Sequence, residues 1–138
     1  MKLSEFINKW NGKPCDYDGA FGAQCVDLFR MYSKEVLSIK EHTGSVDGAR
    51  ELYTNYEKLP LEKKYFSRIA RCKSVKAGDV AVWDKSDTNK YGHVAIVIGK
   101  LEDYLLVFEQ NGFKQDGAKI VLRTYDNYLG VLRFKAGK

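Results

Sequence analysis

The spacing of hydrophobic residues changes from helical to strand-like about halfway along the chain. In the first ten residues, apolar side chains recur at i, i+3, i+4 and i+7, as in an amphipathic helix formed by Leu3, Phe6, Ile7 and Trp10. A longer helix is predicted over 24–37 and a third over 49–56, with Asp47 as a candidate cap and Pro60 ending the helical region. After Arg71, β-branched and aromatic runs parted by Gly- or Asp-bearing turns predict strands over 80–83, 93–98, 104–109, 120–124 and 131–134. This order predicts an α+β fold in which N-terminal helices pack on a mainly antiparallel β-sheet.

The length and the charge of the chain limit the classes of function to consider. A chain of 138 residues can bury one hydrophobic core but not two, so we expect a single domain over 1–138. The net charge of +5 favours an acidic partner such as nucleic acid, an anionic membrane surface or an anionic cell-wall polymer. No Lys/Arg cluster interleaved with aromatic residues stands out, so we expect no nucleic-acid binding. The spread basic residues are also typical of an ordinary solvated surface.

Cysteine usage and hydropathy indicate how the chain is made. The three cysteines, Cys15, Cys25 and Cys72, have no repeated spacing, so we expect free thiols and neither a disulfide framework nor a zinc site. Residues 1–10 contain no apolar core of a signal peptide, and no window reaches transmembrane length. We therefore expect synthesis in the cytoplasm without a signal peptide, no membrane insertion, and delivery by another agent if the protein works outside the membrane.

Three polar residues follow the order expected of a cysteine hydrolase. Cys25 opens the second predicted helix, and the partial positive charge of a helix N-terminus favours the thiolate. His93 begins an alternating apolar strand and can act as the base, while Glu109 ends another strand and can orient the imidazole. Asn111 follows two residues later. Taken singly, each has a plainer interpretation: a buried structural cysteine, a satisfied strand histidine or a solvated strand-end charge.

The loop before Cys25 carries a calcium-like pattern of oxygen donors. Relative positions 1, 3, 5, 7 and 12 of an EF-hand-type loop are occupied by Asp16, Asp18, Ala20, Gly22 and Asp27. Ala20 and Gly22 can contribute only main-chain carbonyls, and Asp27 stands where an EF-hand has Glu. The alternative is a turn whose Asp residues form local hydrogen bonds and cap the helix of Cys25.

Taken together, these segments resemble the CHAP family, the cysteine- and histidine-dependent amidohydrolase/peptidase domains of phage endolysins and bacterial cell-wall hydrolases. The segment 23–28 is similar to the family's nucleophile segment, 78–83 to the strand that leads to the histidine, and 92–97 to the histidine strand. The segment 109–111 is similar to the one that supplies the remaining catalytic groups, and the likeness covers almost the whole chain.

The resemblance implies a papain-like cysteine hydrolase fold and a set of roles. Cys25 would be the nucleophile, His93 base and then acid, Glu109 the group that orients His93, and Asn111 a further polar helper. Calcium-binding members carry Asp-x-Asp before the nucleophile and an Asp two residues after it. Ca²⁺ bound by the five loop residues, Asp16, Asp18, Ala20, Gly22 and Asp27, is therefore implied.

The implied substrate is an amide bond of bacterial peptidoglycan, cut by a monomer that a holin-type pore releases to the wall. Backbone N–H groups at the helix start, helped by Gln24, are candidate oxyanion donors, and Trp83 and Tyr91 are candidate walls of the substrate groove. For both aromatic residues, core packing is the alternative. Two other functions stay open: a non-catalytic wall-binding module, and an NlpC-type or peptide-processing cysteine protease.

Overall fold

The computed structural model describes residues 1–17, 24–41, 46–110 and 117–135. The helices are α1 (Leu3–Trp10), α2 (Cys25–Glu35), α3 (Glu51–Thr54) and α4 (Pro60–Tyr65), with a 3₁₀ turn at Tyr56–Lys58. The strands are β1 (Phe66–Ala70), β2 (Val80–Trp83), β3 (His93–Leu101), β4 (Tyr104–Gln110), β5 (Ala118–Arg123) and β6 (Tyr128–Phe134). The predicted α+β class is confirmed.

All six strands form one sheet in the order β1-β6-β2-β3-β4-β5, and each neighbouring pair is antiparallel. The central strands β2 and β3 bring two of the candidate site residues together, because Trp83 at the end of β2 pairs with His93 at the start of β3. β4 continues on the other side of β3 and carries Glu109 near its end. β3, β4 and β5 pair in sequential order, as the run of short strands predicts.

The two faces of the sheet bury different side chains, as the period of two along a strand requires. On one face, Val80, Val82, Ile96 and Phe108 pack under the helices with the main core cluster. Phe6 of α1 lies edge-on to Phe108 and Tyr32, with ring centroids 6.0 and 5.7 Å apart. Burial of an aromatic side chain such as Phe6 stabilises the fold by about 1.5–3 kcal/mol. α2 packs against β3 and β4, and this packing fixes the position of its N-terminus relative to the sheet.

The opposite face has a second apolar cluster, which contains Ala81, Trp83, Ala95, Val97, Leu105, Val107, Cys72 and Val131. His93 and Glu109 alternate in phase with this cluster, since they lie two residues from Ala95 and Val107 on their strands. Gln110, one residue further along β4, points to the helix side instead. One strand end therefore supplies polar groups to both faces.

Several predicted boundaries are wrong, and local interactions explain why. Pro60 does not end the helical region but occupies the first turn of α4, where its missing N–H has no helical partner to lose. β1 was not predicted, because it follows α4 without a turn residue. Asp47 does not cap α3: the helix begins at Glu51, whose carboxylate accepts a hydrogen bond from the Asp47 N–H at 2.7 Å.

Within the part of the chain that the structure describes, no helix combines the length and the apolar character needed to cross a membrane.

Candidate active site

Cys25 is the first residue of α2, and its side chain is partly accessible. Gln24 precedes it with an extended backbone (φ −117°, ψ 167°), so the chain enters the helix at a sharp corner. The Gln24 N–H donates to Oδ2 of Asp27 at 3.1 Å, which satisfies one amide at the helix start. The thiol therefore lies where first-turn N–H groups present partial positive charge.

His93 lies between the Cys25 thiol and a buried carboxylate. Its side chain is mostly buried, and Nε2 is 3.0 Å from Oε1 of Glu109. Because Glu109 engages Nε2, Nδ1 is the nitrogen left for the hydrogen bond with Cys25. Gly92 (φ +75°) makes the turn into His93, and a Cβ there would stand 2.5 Å from the Trp83 carbonyl oxygen. The backbone at this point requires glycine.

The electrostatics of His93 are set by its two partners. Burial alone lowers the pKa of an imidazole, but the hydrogen bonds with Cys25 and Glu109 and the charges of both outweigh it and raise the pKa of His93 to about 9. His93 is therefore protonated at neutral pH in this arrangement. An imidazolium beside a thiol is the electrostatic partner that a thiolate nucleophile requires.

Glu109 is only 2% exposed, yet it remains charged. Burial raises the pKa of its carboxyl, but hydrogen bonds from Arg123 and His93, and their charges, outweigh the burial and lower the pKa to about 2. Arg123 grips the carboxylate with two donors: Nε contacts Oε1, and Nη2 lies 2.8 Å from Oε2. This bidentate geometry is the strong form of an Arg–carboxylate pair.

Arg123 was not identified from the sequence. It ends β5 and stands opposite Leu105 in the register, and it reaches along the sheet to Glu109. Its guanidinium lies 5.8 Å from the centre of the Trp83 ring, within cation–π range. The available signal was strand phase, since Arg123 alternates with Val121 on the face that also carries Val107 and Glu109. That signal could be used only once β4 and β5 were known to pair.

Gln110 was also missed, and its side chain binds the backbone that precedes Cys25. Its side chain is fully buried. Oε1 accepts the Cys15 N–H at 2.6 Å, and Nε2 donates to the carbonyls of Cys15 at 2.7 Å and Gln24 at 2.9 Å. One amide therefore fastens both ends of the segment between Cys15 and Gln24 to the end of β4.

The calcium prediction falls largely on residues that are not described. Asp18, Ala20 and Gly22 lie outside the described residues, as does Asn111. Burial raises the pKa of Cys15 to about 12, and the negative charges of Asp27, Glu35 and Asp16 add to it. In the ranges that the structure covers, no three His, Cys, Asp or Glu side chains are grouped to hold a metal ion.

The predicted groove residues differ in exposure. Trp83 is 5% exposed, with its ring centre 5.8 Å from that of His93, and its indole N–H donates to the Thr124 carbonyl at 3.0 Å. It therefore supports His93 from behind, in the core-like setting that was the alternative. Tyr91, two residues before His93, is 44% exposed, and Gln24 is exposed as well. Cys15 and Cys72 are buried, and all three thiols are free.

Cys25, His93, Glu109 and Arg123 form a line in which each group interacts with the next. The line runs from a thiol through an imidazolium and a carboxylate to a guanidinium. Such a line can activate a thiol, hold the imidazole in one orientation and deliver a proton to a leaving group. The chemistry that it suits is nucleophilic attack on a carbonyl carbon.

Two bacteriophage proteins are similar to this chain in sequence. The endolysin PlyTW of Staphylococcus phage Twort (strain DSM 17442 / HER 48) is 33% identical over 138 residues, which cover 86% of this chain and 26% of the relative. The D-alanyl-L-alanine endopeptidase of Streptococcus phage B30 is 31% identical over 93 residues, which cover 67% of this chain and 20% of that protein. The chain thus spans about a quarter or less of each of these two relatives.

Solved structures share the fold. The crystal structure of the endolysin LysIME-EF1 matches with a TM-score of 0.66 and 23% identity, covering 96% of this chain and 64% of the other. Ly7917 matches with a TM-score of 0.72 and 17% identity, covering 99% of this chain and 64% of the other. The expected papain-like fold is confirmed. Residues 14–111, a range that includes Cys25, His93 and Glu109, match the family model of the CHAP domain. The chain therefore belongs to the CHAP domain family.

Proposed function

We propose that this chain is the catalytic domain of a peptidoglycan hydrolase of the endolysin type, which cuts an amide bond through a cysteine nucleophile. The observation that carries the proposal is His93, held by hydrogen bonds between the thiol at the start of α2 and the buried carboxylate of Glu109. A purely structural cysteine has no need of a protonated imidazole beside it. The names of the two phage relatives, an endolysin and an endopeptidase, support the reaction class and the bacterial cell wall as the place of action.

The reaction proceeds in two halves. Sγ of Cys25 forms a bond to the carbonyl carbon, the C–N bond breaks, and His93 gives its proton to the departing amine. Water then attacks the thioester and gives a proton to His93. The C–S bond breaks, which releases the acid product and leaves Cys25 as a thiolate beside the protonated His93. Glu109 keeps the imidazole aligned through both halves, and Asn111 assists as a further polar group in the site.

The oxyanion of the tetrahedral intermediate forms next to Cys25. First-turn N–H groups of α2 are the donors that we assign to it, with the exposed side chain of Gln24 as a second donor. Tyr91 is exposed beside the histidine strand and forms a wall of the substrate groove, while Trp83 backs the catalytic histidine. The net charge of +5 favours approach to anionic wall polymers. We propose that the protein acts as a monomer.

We also propose that the loop before Cys25 binds Ca²⁺ through the carboxylates of Asp16, Asp18 and Asp27 and the carbonyls of Ala20 and Gly22. The negative charges of Asp27 and Asp16, which flank the loop in the sequence, both raise the pKa of Cys15, and oxygen donors suit a hard cation. Bound calcium would offset their mutual repulsion. Asp27 stands in the first turn of α2, so it links the loop to the position of Cys25.

Release of amino groups from purified Gram-positive sacculi tests the function. Wild-type protein in calcium-containing buffer is compared with Cys25→Ser and with Cys72→Ser, which changes a buried thiol of the second apolar cluster. We expect release by wild type and Cys72→Ser, none by Cys25→Ser, and one newly exposed residue that identifies the bond. Sacculi bound by all three folded proteins without any release would favour a wall-binding module. Release by Cys25→Ser equal to wild type would exclude the thiol mechanism.

A further inference from the structure

We propose that Arg123 is a positioning residue that holds the Glu109 carboxylate in the one orientation from which it can align His93. This inference rests on the proposed function. Its geometric basis is the pair of hydrogen bonds from Nε and Nη2 of Arg123 to the two oxygens of Glu109. Because both carboxylate oxygens are gripped, the carboxylate cannot rotate about its last bond without breaking one of them.

The hydrogen bonds of Glu109 explain why its orientation has to be fixed. Oε1 serves His93 and Arg123 together, at 3.0 Å from the imidazole nitrogen. A rotation that moved Oε1 away from Nε2 would release the imidazole, and a displacement of about 1 Å in a catalytic group can cost about 100-fold in rate. Arg123 is itself held, because the face of Trp83 lies beside its guanidinium.

Charge gives Arg123 a second role at the same atoms. A carboxyl as buried as Glu109 would take up a proton readily, and a neutral acid is a poorer partner for an imidazolium. The charged and titratable groups around Glu109 are His93 on β3, Arg123 on β5 and, beyond His93, Cys25 on α2. Lys119 stands opposite Glu109 in the β4–β5 register. Of these groups, only Arg123 is fixed to both carboxylate oxygens by hydrogen bonds among the described residues.

The chain contains a matched control for this arrangement. Arg133 grips the buried Asp79 with the same two donors, Nε at 3.0 Å and Nη2 at 2.8 Å. The side-chain exposures are also similar: 33% and 2% for Arg123 and Glu109, and 26% and 3% for Arg133 and Asp79. Arg133→Met therefore removes a comparable ion pair without touching the line from Cys25 to Glu109.

The test combines kinetics with NMR of the histidines in full-length protein. Arg123→Met is expected to lower kcat about 10- to 100-fold with little change in KM, because the substrate is not contacted. The chain has only two histidines, so a His93→Asn variant assigns the His93 ring signal. In Arg123→Met, that signal should gain a step between about pH 4 and 6 as Glu109 takes up a proton, whereas wild type and Arg133→Met should show none.

Arg123→Lys separates charge from geometry and covers the case in which Arg123→Met does not fold. Lysine keeps a positive charge but cannot grip two oxygens in parallel, so kcat should fall while the acid step stays absent. Three results would each overturn the proposal: unchanged kcat in Arg123→Lys, a raised KM with unchanged kcat, or equal effects of Arg123→Met and Arg133→Met. The NMR measurement reads the Glu109–His93 pair even if no wall substrate is cleaved, so failure of the proposed function is distinguishable.

Discussion

Replacement of Glu109 by Gln should destabilise the protein by an amount that depends strongly on pH. Burial, Arg123 and His93 together move the pKa of this carboxyl from 4.5 to about 2. A difference of about 2.5 units at 1.36 kcal/mol per unit corresponds to about 3 kcal/mol of folding free energy. Glu109 is almost fully buried, so this contribution is not reduced by solvent screening.

The sign follows from the direction of the pKa change. A carboxyl whose pKa is lowered in the folded state stabilises the fold above its unfolded value of 4.5, and that contribution is lost as the pH falls toward about 2. The difference in unfolding free energy between wild type and Glu109→Gln should therefore be largest at pH 6–7. It should shrink by about 3 kcal/mol at pH 2, where the carboxyl is almost fully protonated in the unfolded chain and about half protonated in the folded protein.

Urea unfolding at pH 7, 5 and 2.5 measures this difference, since the titration of groups that do not interact with Glu109 cancels between the two proteins. Glu109 also raises the pKa of His93, so the change between pH 5 and pH 2.5 is the part assigned to the carboxyl itself. The exposed Glu102→Gln, in the turn between β3 and β4, is the control and should show a small difference at every pH. A difference between wild type and Glu109→Gln that stays constant from pH 7 to pH 2.5 would refute the assignment of a charged Glu109 in the folded protein.

Three further outcomes follow from the same contacts. The pKa of His93 is raised from 6.5 to about 9, so its contribution to the free energy of unfolding is complete below pH 6.5 and is lost as the pH rises through about 9. In a pH–rate profile, wall hydrolysis should also fall as the pH rises through about 9. Gln110→Met should leave the backbone N–H and carbonyl groups that the Gln110 side chain binds unsatisfied, and should lower the unfolding free energy by about 2–5 kcal/mol in urea titrations. Gln110→Glu should lose less of the unfolding free energy than Gln110→Met does. Removal of calcium by a chelator should lower the Tm of wild type by several degrees in calorimetry. Asp27→Asn should abolish this calcium-dependent shift. Equal Tm values of wild type with and without the chelator would contradict the proposed site.

The sequence was informative wherever a functional residue coincides with a local pattern. Cys25 was predicted at a helix start, His93 at the beginning of a strand and Glu109 at the end of another, and the structure has each in that position. Helical and strand periods depend on neighbouring residues, so they can be interpreted without knowledge of the fold. The same local signals predicted the order of the helices and strands except for α4 and β1.

What the sequence could not supply depends on pairing between distant segments. Arg123 acts on a residue of another strand, and nothing near position 123 distinguishes it from the other basic residues. Gln110 has the same difficulty, since its partners lie about 90 positions earlier. Pro60 was misjudged because a proline suits the first turn of a helix as well as the end of one. The roles of Asn111 and of the loop donors stay predictions.

The buried amide of Gln110 has a consequence for when the thiol becomes active during synthesis. It binds Cys15 and Gln24 across sequence separations of 95 and 86 residues. The backbone on either side of the loop is therefore fastened only after β4 has joined the sheet, and contacts of such long range form late in folding. A growing chain that has exposed α2 but not yet β4 carries Cys25 without its histidine, its carboxylate or its anchored helix start. We therefore expect the proposed site to be incomplete until β4 has been made.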